Sequence, residues 1–236
     1  MSLPVFLTDS LAGDTLTLTG PEGRHAVTVK RIQPGEHVLL ADGAGLAAEV
    51  EVTEVSGRDT LVGRVVSRRQ APVARPRVIV VQALPKSERS ELAVDLATQA
   101  GADEIIPWQA NRCEAKWVGG KVDKHVAKWA SAATSAAKQS RRFTVPRIHQ
   151  PMTTKELARF LAGKTAYVLH EDAQLSVREI DLDAEEICLL VGPEGGIGAD
   201  ELEALDVASI SLGPEVYRTA SAAMVALSAI GALRRW

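Results

Sequence analysis

The stretch Leu189-Leu190-Val191-Gly192-Pro193-Glu194-Gly195-Gly196-Ile197-Gly198 decides how the rest of the chain is read. Ile187 to Val191 is an unbroken apolar run of strand length, and Gly192-Pro193 ends it in a turn. Ala199 to Leu205 then carries a helical pattern. A strand, a glycine-rich turn and a helix in this order bring backbone close to a ligand. Phosphate is not the ligand these residues favour. A Walker loop needs Gly-Lys-Ser/Thr, where this chain has Gly196-Ile197-Gly198-Ala199, and Gly196-Ile197-Gly198 is only a fragment of a dinucleotide fingerprint. Glu194 would repel phosphate and suits a ligand with positive charge or hydrogen-bond donors. A tight turn with its carboxylate in water is the other reading of the stretch taken alone.

A second loop of the same kind lies nearby. Ala208 to Leu212 reads as a strand, Gly213-Pro214 ends it, and Glu215-Val216-Tyr217-Arg218 leads to an alanine-rich helix from Thr219 to Leu233. In open parallel sheets ligands bind beyond the carboxyl ends of the strands. Ala220, Ser221, Ala222 and Ala223 are small enough to let another backbone pack closely.

Working outward, Arg77 to Leu84 is apolar on both faces, as in a parallel sheet covered by helices. Glu88 to Ala100 reads as a helix with Ser87 as N-cap and Gly101 past its end. Asp103 to Pro107 is a further strand, and Val122, Val126, Trp129, Ala133 and Ala137 mark one face of a long helix. Thr153-Thr154-Lys155-Glu156 is a capping box, opening a helix that Gly163 closes. Thr165 to Leu169 is another strand. Strands and helices alternate throughout, so the fold class is α/β with a parallel sheet flanked by helices. Residues 1–70 differ: 38–41, 48–53 and 61–66 are short β-rich runs between turn signals, suggesting a small β-barrel. Residues 71–76 read as a linker into a second domain, 77–236.

The 236 residues are 46% hydrophobic, enough for a core, and no run reaches membrane-span length or resembles a leader. A cytoplasmic protein is expected. Cys113 and Cys188 give no disulfide framework or metal set, and Cys188 reads as packing. The net charge of −3 argues against indiscriminate polyanion binding, yet its distribution is uneven. Arg112 to Arg147 holds nine Lys/Arg against Glu114 and Asp123, and His170 to Asp206 holds twelve acids against Arg178. A basic face suits selective phosphate-backbone contact, and a solvated helix face is the plainer alternative. His37, His125 and His149 have no partners at ligand or triad spacing and read as surface residues. Ser221 lacks a nucleophile-elbow context.

Val191-Gly192-Pro193-Glu194-Gly195-Gly196, Leu212-Gly213-Pro214 and Arg218-Thr219 before a helix resemble the signature of the RsmE-type ribosomal RNA uridine N3-methyltransferases of the SPOUT superfamily. The resemblance extends over nearly the whole chain. It includes His25 to Arg31 with Pro34-Gly35, Leu84-Pro85-Lys86 with Arg89, Pro107 with Asn111-Arg112, Gln139-Ser140 with Arg142, and Val145-Pro146. It implies a PUA-like RNA-binding barrel before a SPOUT trefoil-knot domain. Departures are Ala220 for a glutamate, Glu215 for an arginine and Lys138 for an acid, so no base can sit at position 220.

The resemblance further implies S-adenosyl-L-methionine as cofactor and 16S rRNA in the 30S subunit as substrate, methylated at N3 of a decoding-region uridine. It implies a homodimer and neither metal nor membrane. Gly192, Gly195 and Gly196 would present backbone to the adenine, with Pro193, Gly213 and Thr219 in the same loops. Leu190, Leu212 and Tyr217 would be apolar walls, with Leu169, His170 and Glu171 near the ribose. Arg218 would stabilise negative charge on the uracil. Glu194, another side chain or water would take the N3 proton. His25, Lys30 and Arg31 on the barrel, and Lys86, Arg89, Arg112, Gln139, Arg141 and Arg142 elsewhere, would meet RNA. A non-catalytic RNA-binding assembly protein is the alternative function.

Overall fold

The computed structural model describes residues 3–236; the side chain of Ser87, the anticipated N-cap, lies outside the described residues. The chain forms two compact units, 1–73 with 137–145, and 74–136 with 146–236.

The first unit contains β1 (Val5–Leu7), β2 (Thr15–Leu18), α1 (Gly20–Arg24) running into a π-helical turn at His25–Val29, β3 (His37–Ala41), β4 (Leu46–Ser56) and β5 (Thr60–Gln70). Sheet order is β1-β3-β4-β5-β2, with β1 parallel to β3 and the other pairs antiparallel. Strand alternation aims Val38, Leu40, Val50, Val52 and Leu61 at a core closed by Phe6, Leu16 and Ala26. Arg68 to Gln70 also pair with β4, so the strand runs past the 61–66 run to the edge of the 71–76 segment. The 137–145 segment, placed by sequence in the second domain, packs with this unit. Its backbone supplies the reason: Gly45 N–H donates to Phe143 O and Val145 N–H to Gly43 O, at 3.0 and 2.8 Å. Lys138 also pairs with Glu22.

The second unit contains β6 (Arg77–Ala83), α2 (Ser90–Gln99), β7 (Glu104–Gln109), α3 (Val122–Gln139, whose end belongs to the first unit), β8 (Arg147–Ile148), β9 (Met152–Thr153), α4 (Thr154–Leu161), β10 (Ala166–Leu169), β11 (Leu175–Ser176), β12 (Glu186–Val191), α5 (Ala199–Leu205), β13 (Ala208–Ser211) and α6 (Thr219–Ile230). The sheet is parallel, ordered β11-β13-β10-β12-β6-β7-β8, with β9 alongside β7. Central β6 and β12 are buried on both faces, which is why their sequences show no alternation. A 3₁₀ turn at Ser87–Arg89 precedes α2, so the helix begins at Ser90 with Arg89 at the N-cap position. The Thr153–Glu156 capping box is formed. Helix α6 stops at Ile230, three residues short of the sequence reading, and passes into a π-helical turn. Its Ala222, Ala223, Ala226, Leu227 and Ile230 are buried, while Met224 on the helix and Leu233 in the following turn are exposed.

The three histidines read as surface residues have partners. His149 Nε2 lies 2.5 Å from Glu104 with its side chain only 15% exposed, His37 pairs with Glu49 at 3.0 Å, and the His125 ring stacks on Trp117. His149–Glu104 is long-range and His37–Glu49 is cross-strand, so spacing arguments do not capture them. Cys113 and Cys188 are free and buried, and burial pushes the Cys188 thiol up to about 12.

Candidate functional site

Strand β10 lies between β12 and β13, so Leu169, Val191 and Ser211 end side by side at the carboxyl edge of the sheet. Each strand opens into one loop, His170–Asp172, Gly192–Gly198 or Leu212–Arg218. Together they enclose a cavity of about 660 Å³, within the ~300–1,000 Å³ range of small-molecule sites.

The glycine loop is a tight turn, with Gly196 N–H donating to Pro193 O at 2.9 Å. Gly196 has φ +71°, which favours glycine. Gly195 sits in a close approach: a Cβ there would stand 3.2 Å from Arg112 Cβ and 3.3 Å from Arg112 O. The β10 loop is fixed by His170 N–H to Ile210 O at 3.0 Å, and Asp172 N–H donates to His170 Nδ1 at 3.2 Å.

Of the anticipated cofactor residues, Leu169, His170, Glu171, Gly192, Pro193, Gly195, Gly196, Leu212, Gly213, Tyr217 and Thr219 line the cavity. Leu190 does not. It is fully buried in β12, and the next residue, Val191, supplies the wall. A strand buried on both faces carries no sequence signal for which residue reaches its open end. Glu194 and Arg218 both line the cavity. The Arg218 side chain is exposed and has no hydrogen-bond or ion-pair partner among the described residues. Glu194 accepts weakly from Lys86 N–H at 3.4 Å. Ala220 is buried, 4% exposed.

The anticipated RNA residues separate. Arg89 and Arg112 are in the cavity wall, Arg112 donating to Gly195 O at 3.2 Å. Lys86 pairs with Glu114 at 2.9 Å, and that hydrogen bond holds its ammonium above the usual lysine range. His25, Lys30, Arg31, Gln139, Arg141 and Arg142 belong to the first unit. Lys30 and Arg31 are exposed, whereas the half-buried His25 sets its ring edge against Phe6, 5.8 Å between centroids. The cavity therefore carries Glu171, Asp172, Glu194 and Glu215 beside Arg89, Arg112 and Arg218. Such a wall can hold a cationic group and an anionic one at once. Among the described residues no three His, Cys, Asp or Glu side chains are grouped to hold a metal ion.

Residues 73–231 match the family described as an RNA methyltransferase domain, and residues 18–66 match an RNA methyltransferase PUA domain. Ribosomal RNA small subunit methyltransferase E of Mycobacterium tuberculosis is 47% identical, over 98% of this chain and 93% of that protein. The Bacillus subtilis protein of the same name is 29% identical, over 92% and 89%. A putative methyltransferase from Legionella pneumophila, solved with S-adenosylmethionine bound, superposes with a TM-score of 0.87 at 25% identity over 98% of each chain. The Neisseria gonorrhoeae methyltransferase E structure, at 22% identity, shares the fold with a TM-score of 0.87 over 99% and 98%. With a PUA domain, a parallel sheet and one cavity formed by its two Gly-Pro loops, the chain belongs to the RNA methyltransferase family that includes ribosomal RNA small subunit methyltransferase E.

Proposed function

We propose that the chain transfers a methyl group from S-adenosylmethionine to N3 of a uridine in the decoding region of 16S rRNA, acting in the cytoplasm on the assembled 30S subunit. The observation that carries this reading is the cavity at the ends of β10, β12 and β13, whose lining includes four acids and an arginine, Arg218, that has no side-chain partner among the described residues. The cavity fits the cofactor. The glycine turn offers backbone with no Cβ in the way, Leu212 and Tyr217 offer apolar surface, and four carboxylates suit a sulfonium and an amine. When bound, S-adenosylmethionine supplies an electrophilic methyl group.

The chain's own residues do the rest. Uracil must leave its stack to enter a pocket, and Lys30, Arg31, Arg141 and Arg142 of the first unit are cations suited to flanking phosphates. Loss of the N3 proton spreads negative charge over O2 and O4, and the Arg218 guanidinium can stabilise it. Glu194 or water accepts the proton. A second copy of the chain, seated on exposed Val216, Tyr217 and Met224, would complete the cavity and form a homodimer behind a trefoil-knotted domain. The test is methylation of 30S subunits and of naked 16S rRNA from a strain lacking the enzyme, followed by nucleoside mass spectrometry. N3-methyluridine on the subunit supports the reading; a methyl group on another base or none at all rejects it.

A further inference from the structure

Resting on that reading of the glycine loop, we infer that Glu201 and Arg112 are positioning residues that hold the loop in its ligand-binding shape from two points. Glu201 is 2% exposed, although a carboxylate in the first turn of a short helix ordinarily sits in solvent. Its Oε1 accepts Asn111 N–H at 3.0 Å and the Thr154 hydroxyl at 2.6 Å. Thr154 Oγ1 in turn accepts the indole N–H of buried Trp108 at 3.1 Å. The exit of the loop is thereby tied to the end of β7 and the start of α4.

The middle of the loop is held by the next residue of the same turn. Arg112 donates to Gly195 O at 3.2 Å, and its Cβ and carbonyl oxygen lie so near that a Cβ at Gly195 would press on them at 3.2 and 3.3 Å. One turn, Asn111-Arg112, thus grips both middle and exit. Stability alone does not account for the carboxylate: Glu201 Oε2 is buried without a partner, and a buried polar group left unpaired opposes folding. What Glu201 secures is geometry. The contacts to Gly195 O and from Asn111 N–H fix backbone groups before the ligand arrives, so less ordering is left for binding.

The test uses the full chain with Arg112→Ala, Arg112→Lys, Thr154→Val and Glu201→Gln. Amide exchange in the ligand-free protein should quicken at Gly195 and Gly196 in the Ala, Val and Gln variants, with the rest of the sheet unchanged. Calorimetry with S-adenosylmethionine should show affinity weakened about tenfold, the scale of one lost hydrogen bond. Arg112→Lys should recover most of the loss, because a carbonyl needs one donor and no planar fork. Unchanged exchange and affinity in folded Arg112→Ala and Thr154→Val would overturn the inference. So would an Arg112→Ala variant weakened only toward rRNA, which would make Arg112 a phosphate contact. If wild type does not bind the cofactor but loop exchange still quickens, the proposed function fails and the positioning role stands.

Discussion

The side-chain amide of Gln82, near the end of β6, donates to the carbonyl of Thr219, the first residue of α6, at 3.4 Å, and to Ala83 O at 3.1 Å. Gln82 is 1% exposed and its Oε1 has no partner. The contact ties the sheet to the helix start that carries Arg218 and Thr219 into the cavity. Gln82→Leu keeps the volume, removes the orphaned oxygen and frees the helix start. The expected outcome is near-unchanged thermal stability with lower kcat/KM, measured by calorimetry and single-turnover methylation. A large loss of stability would make Gln82 a packing residue only.

Gly195 gives a sharper steric prediction. A Cβ at 3.2 Å from Arg112 Cβ and 3.3 Å from Arg112 O forces one of the two turns to move. Gly195→Ala should weaken S-adenosylmethionine binding by about 1–3 kcal/mol, the scale of local overpacking. The displacement originates at Arg112 and not at the ligand. Unaltered affinity in a folded variant would separate this approach from the site.

Much of this was legible in sequence. The alternating strands and helices, the Thr153–Glu156 capping box and the two Gly-Pro loops all rest on local patterns. The rest is non-local. Strands β8, β9 and β11 are two residues each, too short for any periodicity. The return of 137–145 to the first unit depends on pairing with a turn a hundred positions earlier. Arg112 looked like a phosphate contact because nothing local reveals that Gly195 O lies beside it. Glu201, one of the twelve acids between His170 and Asp206, has no local pattern that reveals its distant partners Asn111 and Thr154.

Away from the cavity, Glu104 gives a pH prediction. Burial raises its pKa, but hydrogen bonds from His149 and Arg77 outweigh that and hold it below the usual glutamate range. A carboxyl depressed in the folded state contributes stability above its unfolded pKa and loses it as pH falls through the folded one. Glu104→Gln should therefore cost about 1–3 kcal/mol at neutral pH, the scale of charge-assisted hydrogen bonds and a stranded cation. The gap between variant and wild type should shrink in acid, as pH falls through the depressed pKa and the wild type loses this contribution. A constant gap in denaturant titrations from pH 3 to 7 would rule out Glu104 as the titrating group.

Association can be tested on α6. Most of its apolar face is spent inside the second unit, leaving Met224 and Leu233 exposed, with Val216 and Tyr217 on the preceding loop. If a second copy covers them, Met224→Lys should shift sedimentation toward monomer and depress activity, whereas Leu92→Lys, at an exposed position of α2, should do neither. A specific interface of this kind buries more than about 1,000 Å² in total. A wild-type monomer with full activity would dispose of the dimer.

Arg218 separates catalysis from structure most cleanly. Had it formed a buried ion pair, removing it would strand a charge and cost on the order of 3–5 kcal/mol. Its side chain instead is exposed in the cavity wall, with no hydrogen-bond or ion-pair partner among the described residues. Arg218→Ala should thus leave the melting temperature and S-adenosylmethionine affinity nearly unchanged. Single-turnover methylation should fall roughly a hundredfold or more, because the contact strengthens as charge develops on the uracil. Arg218→Lys should recover only part, since an ammonium lacks the planar fork that can address O2 or O4 together with a phosphate. Raising the pH should recover part of the alanine variant's rate if its defect is a uracil anion left unstabilised, since N3 then loses its proton more readily. A variant whose rate falls only in step with its stability, or whose cofactor affinity collapses, would leave Arg218 without the catalytic role.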